Sequence, residues 1–184
     1  MFVSTPYATG KDFAAVRLAY GNPNSPAPGN YSMTIILPDE GNSATDILGS
    51  FDHDSWAALQ ASFSSQTVDL KLPRFDIESD MDLNDVLKEI GIKSMFANAD
   101  FSNMTEQAVY ISLVKQVANI SVDEAGTEAA SVSVAAFDGA APGGEAPTFI
   151  PFYADHPFIF AITENTTGAI LFLGCYLPVF LRHG

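Results

Sequence analysis

The sequence predicts an α+β fold built mostly from antiparallel β-sheet, with a few short helices. Apolar residues alternate at period two in several stretches, whereas helical spacing recurs in only two short ones. The strand-like stretches outnumber the helical ones and are not interleaved with them, which argues against a parallel α/β sheet. Fourteen phenylalanines are spread along the 184 residues, as expected of a folded, sheet-rich domain.

Taken in order, Phe13 to Tyr20 is an extended run closed by the turn cluster Gly-Asn-Pro-Asn-Ser-Pro. Tyr31 to Leu37 is a second strand, stopped by Pro38, and a hairpin joins the two most simply. Asp54 or Ser55 caps a helix over Trp56 to Phe63. Val68, Leu70 and Leu72 alternate with Asp69 and Lys71 as a half-buried strand, and Phe75 and Ile77 carry the pattern past Pro73. Asp82 opens a short helix holding Leu83, Val86, Leu87 and Ile90, which Gly91 closes. Val109 to Val122 has few breakers and reads as one long strand. Residues 124 to 149 then change character to small residues, prolines and paired glycines. Phe158 to Ile162 and Ala169 to Leu173 flank the turn Glu164 to Gly168 and read as a buried hairpin.

Composition excludes several functions. The net charge is −14, from 22 acids against 8 bases, so the surface repels nucleic-acid phosphates and anionic membranes. Its simplest role is to keep the chain in solution. Cys175 is the only cysteine, which rules out an internal disulfide and a thiolate metal cage. No apolar stretch is long enough to span a bilayer, and the first six residues lack the pattern of a signal peptide.

No enzymatic constellation emerges. Asp52-His53-Asp54-Ser55 places acid, base and hydroxyl together, but triad members meet across distant segments, and a helix start explains these residues better. Asp80-Met81-Asp82 begins like a calcium loop, yet Asp85 stands where glycine is needed and Gly91 where glutamate is needed. His53, His156 and His183 have no zinc spacing, and there is no glycine-rich phosphate or dinucleotide motif. No cofactor or metal is therefore expected, and Cys175, in an apolar strand, reads as structural.

The last strand pair carries a family resemblance. Phe152-Tyr153-Ala154-Asp155-His156-Pro157-Phe158-Ile159-Phe160-Ala161-Ile162 is similar to the serpin signature. Upstream, Glu124-Ala125-Gly126-Thr127-Glu128-Ala129-Ala130-Ser131 resembles the hinge of inhibitory serpins. Ile35 to Pro38, Leu72 to Phe75, Leu83 to Gly91 and Ala99 to Ser102 follow in serpin order. The resemblance covers nearly the whole chain but only half of a serpin. It implies that residues 1–184 are the carboxy-terminal half of one serpin domain, a partial fold whose reactive-centre loop spans about 124–150. The amino-terminal half would be a partner, the location would be extracellular or periplasmic, and the absent disulfides and low charge density are compatible with bacterial members.

The loop's own pattern agrees. In an extended strand alternate residues face one side. Thr127, Ala129, Ser131, Ser133 and Ala135 form one set, all small and uncharged; Glu128, Ala130, Val132, Val134 and Ala136 form the other. A segment that slides into a closed sheet needs little bulk on its inward face, whereas a plain flexible linker shows no such alternation. The resemblance implies that a serine protease, elastase-like or chymotrypsin-like, attacks this loop as a substrate, and that the cleaved hinge at Glu124, Gly126, Thr127, Ala129, Ala130 and Ser131 inserts into the large sheet. Counting from the hinge as the family does, the resemblance puts the scissile bond near Ala140-Ala141, with Phe137 as runner-up. The resemblance also implies a salt bridge between Arg74 and Glu124 beside the insertion point. Gln116 stands where many relatives carry histidine, which removes a titrating group there. Competing readings are a non-inhibitory serpin-fold binding protein and a half-domain that binds through exposed sheet edges. Alone, residues 1–184 are expected to be cut as a plain substrate, because insertion needs a neighbouring strand on both sides.

Overall fold

The computed structural model describes residues 2–21, 30–97, 99–123 and 149–178. Among the described residues there are nine strands: β1 (Phe2–Gly10), β2 (Phe13–Ala19), β3 (Tyr31–Pro38), β4 (Ser64–Lys71), β5 (Phe75–Asp82), β6 (Lys115–Val122), β7 (Ile150–Tyr153), β8 (Phe158–Glu164) and β9 (Ile170–Tyr176). Three short helices accompany them: α1 (Ala44–Ser50), α2 (His53–Ser62) and α3 (Asn84–Glu89). The chain divides into two compact units, one within Met1–Arg74 and Val122–Gly184, the other Phe75–Ser121.

The larger unit is a seven-stranded sheet in the order β7-β4-β1-β2-β3-β8-β9. All its pairings are antiparallel except β4 with β7. The expected hairpin of β2 and β3 forms in the register Val16↔Ile35. β1 serves two partners: Phe2 to Tyr7 pair with β4, and Tyr7 to Gly10 pair with β2. Thr5 Oγ1 donates to the Arg17 carbonyl at 2.7 Å, pinning β1 to β2. At the tight β1–β2 turn Asp12 takes a positive φ of 66°, a conformation that aspartate tolerates better than most residues.

One row of side chains crosses this sheet and receives the helices. Ala8, Ala15, Ile36 and Ile159 are register partners along the row, and they pack with Ala44 and Ile47 of α1 and Leu59 of α2. The two alanines let the helices come close, and burying the isoleucines and the leucine contributes about 1.5–3 kcal/mol each. Phe13, Phe51 and Trp56 seal the margin, with ring centres 5.7 and 5.9 Å apart in sequence. Arg17 ties down the end of α2: its guanidinium donates to the Gln60 carbonyl at 3.0 Å and lies 4.3 Å from the centre of the Phe63 ring.

The smaller unit holds β5, α3 and most of β6, and the two strands pair as a separate sheet. Asn84 staples it together. Its Nδ2 donates to the Ser112 carbonyl at 2.9 Å, and its Oδ1 accepts from the Val114 amide at 2.8 Å. Lys115 pairs with Asp80 at 2.9 Å.

Several sequence expectations shift. The strand expected over Val109–Val122 is confined to Lys115–Val122. Residues before it spend backbone groups elsewhere: the Ile111 amide on Met95, the Ser112 carbonyl on Asn84, the Val114 carbonyl on Leu83. Phe75 and Ile77 do not extend β4; they begin β5, in the other sheet. The short helix starts at Asn84, with Asp82 accepting from the Asn84 amide at 2.8 Å, and Gly91 follows it with a φ of 98°. The final hairpin forms, but only β8 is buried. Ile170, Leu171, Phe172 and Leu173 of β9 are 44%, 48%, 36% and 51% exposed; successive side chains point to opposite faces, so among the described residues neither face of this stretch is covered.

Candidate functional site

In chain order, the candidate loop leaves β6 at Val122–Asp123 and enters β7 at Ile150. The hinge residues Glu124, Gly126, Thr127, Ala129, Ala130 and Ser131, and the scissile candidates Phe137, Ala140 and Ala141, lie outside the described residues. So does the Glu124 half of the expected salt bridge with Arg74. Gln116 sits exposed on β6. What the structure describes is the platform on which the loop ends.

That platform is β7 and the turn into β8. β7 runs parallel to β4 with Val68↔Ile150 and Leu70↔Phe152 in register. Pro151, which cannot donate to a ladder, is tolerated because β7 is an edge strand. Phe152 is buried, while Tyr153 faces out and donates to the Asp69 carboxylate at 2.7 Å. That bond holds the Asp69 carboxyl below its ordinary range and raises the Tyr153 phenol. Lys71 Nζ lies 3.8 Å from the centre of the Tyr153 ring. At the other end of β7, the Phe149 and Phe2 rings sit 4.3 Å apart. The Ala154 amide, donating to the Lys71 carbonyl at 2.8 Å, closes the ladder.

The turn from β7 to β8 is held by His156. Its Nε2 lies 2.8 Å from the Pro38 carbonyl at the end of β3, and its Nδ1 lies 2.9 Å from the Asp155 carboxylate. Burial opposes charging this imidazole. The Pro38 carbonyl, the bond to Asp155 and the charges of Asp155 and Glu40 outweigh burial and raise its pKa above the ordinary value. Beyond it Phe158, Ile159, Phe160 and Ala161 are all buried; all four pair with β9, and the last three also pair with β3. The stretch from Phe152 to Ile162 is thus an anchor of buried rings alternating with a polar clasp. Sequence reading picked out this stretch but not the contacts of Tyr153 and His156; their partners Asp69 and Pro38 lie far back in the chain and carry no local signal.

The β8–β9 turn is organised by Glu164, whose carboxylate accepts from the Thr166 amide at 2.9 Å, the Thr167 amide at 2.7 Å and the Thr167 hydroxyl at 2.6 Å. These bonds, the Thr167 hydroxyl foremost, pull its pKa down to about 2. Asp52-His53-Asp54-Ser55 is a helix start, as expected, with the cap moved to Asp52. Its carboxylate accepts from the Ser55 amide at 2.8 Å, and Ser55 Oγ accepts from the Asp52 amide at 2.8 Å. His53 is exposed and meets only Asp54 among the described contacts. Burial raises the Cys175 thiol above its ordinary value, which disfavours the thiolate. Among the described residues no cluster of His, Cys, Asp and Glu is arranged to hold a metal ion.

Comparison with known proteins places this arrangement. Residues 2–178 match the profile of the family described as Serpin (serine protease inhibitor). Serine protease inhibitor 88Ea of Drosophila melanogaster is 34% identical over 149 residues, covering 79% of this chain and 34% of that protein. An uncharacterized serpin-like protein of Thermococcus kodakarensis is 35% identical over 170 residues, covering 92% of this chain and 38% of that one. Among solved structures, the thermophilic serpin tengpin in its native state superposes with a TM-score of 0.72 at 26% identity, covering 97% of this chain and 46% of the other. The chain therefore spans less than half the length of the relatives it matches. With a partial, sheet-rich fold shared with solved serpins, and a family match over nearly every residue, the chain belongs to the serpin family.

Proposed function

We propose that this chain supplies the reactive half of a serine-protease inhibitor that works as a suicide substrate. The observation that carries this reading is the two-residue alternation of small, uncharged side chains from Thr127 to Ala135. This is the pattern a segment needs if it is to enter a sheet as a new strand. The hinge is Glu124, Gly126, Thr127, Ala129, Ala130 and Ser131. The protease serine attacks the carbonyl carbon of Ala140, forms an acyl ester and releases the new amino group of Ala141. Insertion of the freed hinge then outruns hydrolysis of the ester, and stored conformational free energy supplies the drive. Small residues at that bond suit an elastase-like protease; a cut after Phe137 would suit a chymotrypsin-like one. Arg74 and Glu124 pair beside the insertion point in this reading.

The chain is read as the carboxy-terminal half of one domain, and its partner as the polypeptide that completes the fold. Two observations support this: it covers less than half of its relatives, and among the described residues β9 ends the sheet with four large apolar side chains substantially exposed. An open, uncharged edge of that kind normally pairs with something.

The test is a denaturing gel after mixing with pancreatic elastase, chymotrypsin or subtilisin, run on this chain and on a complete serpin that contains it. A band at the summed mass from the complete protein alone supports the proposal. A covalent adduct from residues 1–184 alone overturns the need for a second half. Cleavage without adduct in either moves the function to a non-inhibitory serpin-fold binder. Mass spectrometry of the products should place the cut within residues 136–142; a cut elsewhere removes both scissile candidates.

A further inference from the structure

We infer that His156 is a proton-operated latch on β7, the strand into which the loop runs. Its ring is gripped from both sides by groups that only accept: the Pro38 carbonyl at Nε2, 2.8 Å, and the Asp155 carboxylate at Nδ1, 2.9 Å. Satisfying both requires both nitrogens to donate, and only the doubly protonated imidazolium does so. Asp155 is itself held below the ordinary carboxylate range, first by its bond to His156, so it stays ionised through the range in which His156 titrates.

The charged groups around the ring fit that state. Asp155 touches it from the turn between β7 and β8, Glu40 acts on it from the segment after β3, and Lys71 of β4 acts on Asp155. When the proton leaves, one ring nitrogen turns a lone pair towards an oxygen, and an attraction becomes a repulsion. β7 is poorly placed to absorb this loss. It has four residues, one a proline, and one neighbouring strand. Its last ladder bond, Ala154 to Lys71, lies two residues from the latch. The folded pKa is raised, so the contribution is complete below the unfolded value and is lost as pH rises through the folded one. Acid therefore tightens the seat of β7 and mild alkali loosens it. Its bearing on the reactive loop rests on the inhibitory reading; the latch itself does not.

The experiment is proton NMR of the three histidines together with amide hydrogen exchange, on residues 1–184 and, equally, on a complete protein that contains them. His156 is assigned by its disappearance in His156→Gln. Exchange at the Ala154 amide is compared with Ile35 and Ile36 at pH 5.5 and 7.5, corrected for intrinsic rates. The His156 midpoint should lie above ~6.5, and Ala154 opening should increase several-fold, up to about tenfold, between the two pH values. His156→Gln keeps a donor for Pro38 but cannot titrate, so its Ala154 opening should be flat with pH. Asp155→Asn should lower the His156 midpoint. A midpoint at or below ~6.5, pH-insensitive exchange in the unmodified chain, or unchanged pH dependence in His156→Gln overturns the latch. None of these readouts involves a protease, so failure to inhibit leaves the latch standing, and failure of the latch leaves inhibition standing.

Discussion

Gly174 offers a direct test of how tightly β8 and β9 are matched. It lies opposite Phe160 in the hairpin register. A Cβ built on Gly174 would meet the Phe160 ring at 2.7 and 3.0 Å, and that ring is 1% exposed, so it has little room to yield. Overpacking of this kind costs about 1–3 kcal/mol. Replacing a strand glycine also returns about 0.5–1 kcal/mol of backbone entropy. The balance for Gly174→Ala is a destabilisation of about 1 kcal/mol, a fall in Tm of about 2–4 °C. Urea and thermal unfolding measure it, and the double-mutant cycle with Phe160→Leu isolates it. Leucine does not reach across the strand as the ring does, so Gly174→Ala should become harmless or stabilising in that background, with a coupling of about 1 kcal/mol. A Gly174→Ala protein as stable as the original, or losses that simply add within about 0.5 kcal/mol, would refute the claim that the ring is seated on the glycine.

Two further outcomes follow from the polar turns. Asp52→Ala removes the capping box of α2 and should lower Tm by about 2–4 °C, whereas His53→Ala, one residue on and exposed, should leave Tm unchanged; a larger fall at His53 than at Asp52 would show that the capping box is not what holds this helix start. Glu164 has a depressed pKa, so its stabilisation is present above about 4.5 and is lost as pH falls towards about 2. The Tm difference between the unmodified chain and Glu164→Gln should shrink across that window, and a difference independent of pH would show that the carboxylate charge is not what holds the turn.

The legible parts of this fold are those whose signal is local. The β2–β3 hairpin, α2 and the β8–β9 hairpin are each marked by a local apolar run or spacing beside turn or capping residues, and each survives into the structure. β1 escaped because Pro6 and Gly10 look like breakers, yet β1 needs only part of its length for each partner. β7 escaped because Pro151 interrupts it, a defect that matters little at a sheet edge. The long strand over Val109–Val122 failed in its first half because Asn84, about 30 residues away, claims its backbone groups. Apolar character marked Ile170 to Leu173 as core, but burial depends on what covers a strand, and among the described residues neither face of this stretch of β9 is covered. At the candidate site, the signature stretch was visible as a motif. The clasp made by Asp69, Pro38, Tyr153 and His156 was not, since it depends on which strands become neighbours.

The strand order also sets a timetable for synthesis. Ile35 of β3 takes Phe160 of β8 as its cross-strand partner, and that residue is made roughly 125 positions later. At about 5–20 residues per second, the outer edge of β3 waits for some 6–25 s before its neighbour exists. During that interval Ile35, Ile36 and Leu37 present an apolar strand with open backbone groups, the kind of segment that pairs with whatever strand it meets first. The nascent chain is therefore most vulnerable to wrong pairing before β8 arrives. Slowing translation between β3 and β8 should lower the soluble yield, and supplying the β8–β9 hairpin early should raise it.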